Sequence, residues 1–284
     1  MNTLSTIEIL NPYFDPLIDA LCADPQLVFQ LVKKELTPLA IARANSPEIS
    51  FASWNAEFLW QAKAKHFIET YTEIISKHHL LALQEVSVQG ISLLSKTTGY
   101  NYVASQPNSR GQAVGFLVHP RFTINSIVEY SELVAVYGIS NLRPALRIDL
   151  IDKQSNKALS VITVHLKSML GGISHTSIIR HEQLNRLMIA LSDSTSPTLI
   201  VGDFNCFLDK SDDISPLLNN RFVLANKTNH TSTQICGGRL DGLFYRNLST
   251  NFKPRHYKLH DFWRNGLIGR SLSDHGLLTW TLAH

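Results

Sequence analysis

From Ile49 to the end of the chain, short apolar runs alternate with helical periodicity and polar turns. The runs Ile49–Trp54, Leu80–Gln84, Tyr100–Ser105, Val114–His119 and Ala145–Ile151 predict strands. So do Leu159–His165, Thr198–Gly202, Leu240–Tyr245 and Gly276–Leu282. Helices are predicted over Gln61–Lys77, Ser87–Thr97 and Ile178–Ser192, where Ile178, Leu184, Leu187, Met188 and Leu191 line one face. The mixture suggests α/β layers over one sheet or a pair of sheets.

The segment before Ile49 has a different pattern. Phe14, Leu17, Ile18 and Leu21 fall at helix spacing, and Leu27, Val28, Leu31 and Val32 repeat it after Asp24-Pro25. Residues 1–48 are therefore expected to form a helical N-terminal extension that supports a main domain spanning 49–284. No repeat or interdomain linker interrupts that domain.

Composition narrows the class. With 284 residues, 44% hydrophobic and 17% charged, the chain can bury a full core and is neither disordered nor fibrous. No apolar run approaches the roughly 20 residues of a membrane span. The first Lys or Arg is Lys33, so the N-terminus lacks the basic start of a secretory signal. Three cysteines, Cys22, Cys206 and Cys236, are too few and too scattered for a disulfide scaffold or a zinc ribbon. A reduced, cytoplasmic monomer is the default expectation. The net charge of +3 hides an asymmetry: residues 221–284 hold nine Lys/Arg against three Asp/Glu, whereas residues 1–50 hold three against six. A basic last quarter is compatible with an anionic partner, and also with an ordinary solvated surface.

Polar residues collect at the C-terminal ends of the apolar runs, where layered α/β proteins open their sites. Asn55 follows the first run and Glu85 the second. His165 ends another, Asp203 and Asn205 follow Thr198–Gly202, and Asp241 follows Leu240. Asp274 and His275 precede the last strand. If these ends converge, carboxylates, imidazoles and amides without a thiol would suit a hard divalent cation, magnesium, manganese or calcium rather than zinc. A His–Asp pair beside such a cation can take a proton from water attacking a phosphate ester. Each element alone has a plainer reading, since Gly, Asp and Asn favour turns and a lone His is commonly a hydrogen-bonded core residue. The ordered set changes that balance.

Ser53-Trp54-Asn55, Leu83-Gln84-Glu85, Val164-His165-Leu166-Lys167-Ser168, Gly202-Asp203-Phe204-Asn205, Arg239-Leu240-Asp241 and Ser273-Asp274-His275 occur in that order. From about Ile49 onward the chain thereby resembles the endonuclease/exonuclease/phosphatase superfamily. The resemblance implies a four-layered α/β sandwich, two packed mixed β-sheets flanked by helices. It also implies a metal-dependent phosphoesterase. Glu85 would hold the metal with Asn55 and Asp274 close by, and Asp203 would bind phosphate or a second metal. His275 would be the general base, oriented by Asp241. Asn205 would position the scissile phosphate, while His165 would contact it or act as the acid. Arg143 looks like the arginine that contacts phosphate in pancreatic-type deoxyribonucleases.

Within the superfamily, His165 is similar to the deoxyribonuclease, sphingomyelinase and inositol-phosphatase branches, the stretch Thr228–Asp241 resembles the deoxyribonuclease loop, and His165-Leu166-Lys167-Ser168 followed by Arg180 and Gln183 resembles a bacterial-type group. One departure stands out: deoxyribonucleases place a Glu where this chain reads Arg110-Gly111-Gln112-Ala113, so no carboxylate is evident to orient His165. By analogy with secreted deoxyribonucleases Cys206 and Cys236 could pair, but nothing signals export. The basic and aromatic segment Lys253–Arg264 could grip a phosphate backbone or be a solvated loop with core aromatics. The favoured function is a phosphodiesterase or nuclease acting on DNA or another nucleic acid. The alternative is the same chemistry on a phospholipid head group or inositol phosphate, with Phe262-Trp263 meeting the membrane. A binding module on an inactive scaffold ranks last.

Overall fold

The computed structural model describes residues 46–225, 231–262 and 271–282. The predicted helices of residues 1–48 lie almost wholly outside that range. Chain order begins β1 (Ile49–Leu59), α1 (Gln61–His66), α2 (Ile68–Ser76), β2 (Leu80–Val86), α3 (Val88–Thr98), β3 (Asn101–Ala104), β4 (Ala113–Val118) and β5 (Phe122–Tyr130). It continues β6 (Ala145–Asp152), β7 (Ala158–His165), α4 (Ile173–Ala190), β8 (Thr198–Asp203), α5 (Ser215–Asn219) and β9 (Val223–Leu224). Last come β10 (Asp241–Arg246), β11 (Pro254–His260) and β12 (Leu277–Leu282). The strands form two six-stranded mixed sheets, ordered β11-β12-β1-β2-β4-β3 and β5-β6-β7-β8-β10-β9.

Strand alternation explains why the apolar runs are nearly continuous. Successive side chains leave opposite faces of a strand, so a run apolar at every position needs both faces covered. Phe51, Ala82, Phe116, Ile148, Val161, Leu199, Val201 and Leu243 point into the layer between the sheets. Their neighbours Ala52, Trp54, Leu81 and Leu83 point outward and pack with Tyr71, Ile75, Ile91 and Leu94 of α2 and α3. On the second sheet Ile162, Val164, Ile200 and Phe244 point outward against Leu184, Leu187 and Met188 of α4 and Leu217 of α5. Helix, sheet, sheet and helix therefore stack in four layers. Each fully buried Leu, Ile or Phe contributes about 1.5–3 kcal/mol of transfer free energy.

Several boundaries differ from the sequence expectation. The single helix expected over Gln61–Lys77 is two, because Phe67 (φ −109°, ψ 28°) leaves helical geometry. The helix expected from Ser87 starts one residue later, with the Ser87 hydroxyl accepting the Gly90 N–H as N-cap. The expected Ile178 start of α4 is preceded by a further turn from Ile173. Strands β5, β9 and β11 were not expected. β11 occupies part of the basic segment Lys253–Arg264. Arg255, His256, Lys258 and His260 are exposed on this sheet edge, while Tyr257 and Leu259 pack on the core beside Trp280. Charged residues on an exposed edge discourage pairing with other chains, which is a sufficient role for them. Trp263 and Arg264 lie outside the described residues. Cys206 is a buried thiol pushed up to about 12 by burial, and Cys236 is an exposed one, so the disulfide raised by analogy does not form.

Candidate active site

Strand register brings the predicted residues together. β7 and β8 run parallel with His165 opposite Asp203, and β10 runs antiparallel to β8 with Asp241 opposite Asp203. His165, Asp203 and Asp241 thus stand abreast on three neighbouring strands. Close approach of β7 and β8 requires Gly202: its φ is +134°, and a Cβ there would meet the Val164 carbonyl oxygen at 2.1 Å. In the first sheet β1 and β2 are parallel with Asn55 opposite Gln84, so Asn55 and Glu85 leave the same sheet end. A left-handed residue (φ 55°) and a register break against β4 re-aim Glu85. Ser273-Asp274-His275 docks on β1: Ser273 Oγ donates to the Asn55 carbonyl at 2.6 Å and Trp54 Nε1 donates to the His275 carbonyl at 3.0 Å.

Asp203 is the hub. Its Oδ2 accepts from Asn55 Nδ2 at 3.0 Å, which joins the two sheets, and from Asn205 Nδ2 at 3.1 Å. The same oxygen lies 3.5 Å from His165 Nε2 and 3.9 Å from His275 Nε2. Burial, reinforced by Asp241, pushes the Asp203 carboxyl up to about 7 against the pull of His275. His275 Nδ1 lies 2.8 Å from Asp241 Oδ2, an oxygen that also accepts the Thr233 hydroxyl at 2.7 Å. Burial opposes a charged His275, but Asp241 and Asp203 outweigh it and push the imidazole up to about 10.

Glu85 accepts from Asn55 Nδ2 at 3.3 Å and from Gln112 Nε2 at 2.9 Å, and lies 3.7 Å from His165 Nε2. Burial raises its carboxyl. Gln112, at the departure from the deoxyribonuclease pattern, therefore serves Glu85. Nδ1 of His165 is buried with no partner among the described residues. Burial, then the nearby Arg143 and His275 charges, hold His165 well below its ordinary range, so it is neutral. Asp274 Oδ1 lies 3.9 Å from His275 Nε2, and its Oδ2 accepts from Gln234 Nε2 at 3.1 Å. Arg143 Nη2 donates to the Leu166 carbonyl at 3.2 Å, and its buried Nε is without a partner among the described residues.

All nine predicted residues are brought into one contact network, Arg143 joining it through the Leu166 carbonyl that Asn205 also reaches. Sequence reading missed Glu57, whose carboxylate accepts the Asp274 N–H at 2.9 Å, and Gln234. Glu57 lies two residues past Asn55, but only the left-handed turn of β1 there brings it back to the site. A support layer lies behind the cleft. Gln183 Oε1 accepts the Lys167 N–H at 2.9 Å, and Arg180 Nη1 donates to the Lys167 carbonyl at 3.1 Å. Arg180 is itself held by Asp213 at 2.6 Å. The preceding carbonyl, Leu166, receives both Arg143 and Asn205.

The donor set fits a hard divalent cation. Ligand atoms of Asp203, Asp241 and His275 lie within 4.8 Å of one another, with the Glu85 and Asp274 carboxylates beside them. This grouping brings in Asp241 and His275, where the resemblance pointed to Glu85, Asn55, Asp203 and Asp274.

The sequence model described as the Endonuclease/Exonuclease/phosphatase family matches residues 52–275. No curated protein sequence matches the chain. Solved structures do. D. rerio TDP2 complexed with single strand DNA product is 18% identical with TM-score 0.67, over 84% of this chain and 99% of that one. The human Nocturnin catalytic domain with bound sulfate anion is 18% identical with TM-score 0.63, over 84% and 94%. The mannosyl-6-phosphatase Bt3783 of Bacteroides thetaiotaomicron VPI-5482 is 12% identical with TM-score 0.62, over 83% and 100%. At these identities the structures share the fold, and their differing substrates carry no assignment here. Sandwich, motif order and family match agree: the chain belongs to the endonuclease/exonuclease/phosphatase family of divalent-metal-dependent phosphoesterase hydrolases.

Proposed function

We propose that the protein is a magnesium- or manganese-dependent phosphodiesterase that cleaves nucleic acid. The observation that carries the reading is the His275–Asp241 pair facing Asp203, with an arginine and a neutral histidine on the same cleft. Glu85, Asp203 and Asp274, with Asn55, would hold the cation. When bound, the cation supplies positive charge to the phosphate oxygens.

The protein's own groups do the rest. Arg143 offers an N–H to a phosphate oxygen, and the Asn205 amide orients the same group. Asp241 fixes the His275 ring so that Nε2 faces the cleft and receives a proton from the attacking water. Water oxygen bonds to phosphorus as the bond to the leaving oxygen breaks, and the departing oxyanion takes its proton from solvent water. His165 is neutral, with no carboxylate on its Nδ1, so it donates a hydrogen bond from Nε2 rather than supplying the proton to the leaving group.

Nucleic acid is favoured over a lipid head group for a specific reason. Phe262, which a membrane-binding role would need exposed, packs on Trp54 with ring centroids 5.3 Å apart. The test is a substrate panel with magnesium: supercoiled DNA, single-stranded DNA, RNA, an abasic duplex, sphingomyelin and an inositol polyphosphate. Cleavage of a nucleic acid at the highest kcat/KM is expected. A higher value on a lipid or inositol phosphate would overturn the choice.

A further inference from the structure

Immediately after Asn55, β1 departs from regular strand geometry. Glu57 and Phe58 both adopt left-handed backbone (φ 41° and 58°), and the register against β2 shifts between Asn55 and Leu59. A residue with a Cβ takes that conformation only where its surroundings enforce it. The enforcement is visible: Glu57 Oε2 accepts the Asp274 N–H at 2.9 Å, and Lys63 Nζ donates to the Ala56 and Glu57 carbonyls at 3.0 and 2.6 Å. The result is a Phe58 ring that is 44% exposed, 5.9 Å from the Trp60 ring.

The aromatic pair adjoins the cleft on two sides. Through Glu57 it is tied to Asp274. On the other side the Trp60 ring lies against Gly111, where an added Cβ would meet it at 3.5 Å. Gly111 sits between Gln112, which donates to Glu85, and Arg110. Arg110 forms no ion pair among the described residues, and its charge reaches both Arg143 and Lys167. Burial chiefly, then Arg143, Arg180 and Arg110, lowers Lys167. Burial lowers Arg143 too, and Arg110 adds to it against Glu85 and Asp203.

An exposed Phe58 ring backed by the half-buried Trp60 ring, beside the Arg110 cation, matches a nucleic acid strand, whose bases offer π faces and whose phosphates offer charge at regular spacing. A lipid tail or a small sugar phosphate would use only half of this arrangement. We propose that Phe58, Trp60 and Arg110 form a subsite for the nucleotide next to the scissile phosphate. Its base stacks on Phe58 and its outer phosphate meets Arg110. The subsite rests on the nucleic-acid reading above and adds to it where the strand runs.

The experiment compares a single-stranded oligonucleotide with the same strand carrying an abasic residue beside the mapped cleavage position. In the unmodified protein the abasic residue should raise KM about 5- to 100-fold, the range for one lost base–aromatic stack. In Phe58→Ala that penalty should fall below about threefold, and Phe58→Tyr should restore it. Arg110→Ala should flatten the salt dependence of KM by about one phosphate contact. A merely structural role for Phe58 would slow cleavage of both strands alike and leave the penalty intact, which overturns the subsite alone. Failure of the unmodified protein to cleave any nucleic acid, with another phosphate ester hydrolysed, overturns the subsite and the nuclease reading together.

Discussion

His275 Nδ1 lies 2.8 Å from Asp241 Oδ2, on an oxygen already clamped by the Thr233 hydroxyl. Thr233 Oγ1 in turn accepts the Leu240 and Asp241 N–H groups at 2.9 and 3.0 Å. The acceptor that orients the imidazole is thus fixed by backbone before substrate arrives.

This pairing has a consequence for titration. In metal-free protein Asp241 and Asp203 keep His275 protonated up to about pH 10. A divalent cation placed beside Asp203 repels the imidazolium and should lower that value toward neutrality, as a working base requires. Imidazole NMR titrations with and without magnesium should show the downward shift. In the metal-free protein the sign for stability is also set: a raised histidine stabilises fully below about pH 6.5 and loses the contribution as pH rises toward 10. Asp241→Asn should weaken the upward shift of His275, leaving the part that Asp203 supplies.

The Lys167 support layer makes a second expectation. Gln183→Ala leaves the Lys167 N–H without its acceptor, so Leu166, and with it Arg143 and Asn205, loses its position. A drop of about 10- to 100-fold in kcat/KM is expected, the range for residues that orient functional groups. Arg180→Ala strands the buried Asp213 carboxylate and should cost about 3–5 kcal/mol in urea unfolding.

Gly202→Ala tests the β7–β8 approach. Its Cβ would fall 2.1 Å from the Val164 carbonyl oxygen, at a φ of +134°. Loss of about 3 kcal/mol or more is expected from strain and overpacking together, read as a lowered denaturation midpoint.

A pH dependence of stability comes from the far end of the sandwich. Burial alone would raise the Asp152 carboxyl, but hydrogen bonds from Arg121, Ser155 and the Gln154 N–H, with the Arg121 charge, hold it well below its ordinary range. Arg121 Nε and Nη2 reach its two oxygens at 2.6 and 2.8 Å. A depressed carboxylate stabilises above its unfolded value of about 3.9, and that contribution disappears as pH falls below it. Asp152→Asn should therefore flatten the loss of stability below about pH 4 in acid unfolding curves.

Much of this was legible from the chain. Strands buried on both faces, such as Thr198–Gly202 and Val114–His119, are apolar at nearly every position and stand out. β5 does not, because its edge position exposes Thr123 and Asn125-Ser126 in part and breaks the apolar run. β11 begins at Pro254 and alternates basic with apolar residues, which reads equally as a loop. Polar residues at strand ends revealed the cleft, since the motifs mark them locally. The role of Gln112 and the return of Glu57 could not be read, because both depend on register breaks and left-handed residues that leave no periodic trace. Gly202 looked like a turn glycine and is a packing one.

The most direct test of the account is the rate of single-stranded oligonucleotide cleavage with saturating magnesium, measured for the unmodified protein and for His275→Ala. A fall of about 10²- to 10⁴-fold in the variant, with no cleavage by either protein in EDTA, is the expected result. Undiminished cleavage by His275→Ala, or full activity in EDTA, would contradict it.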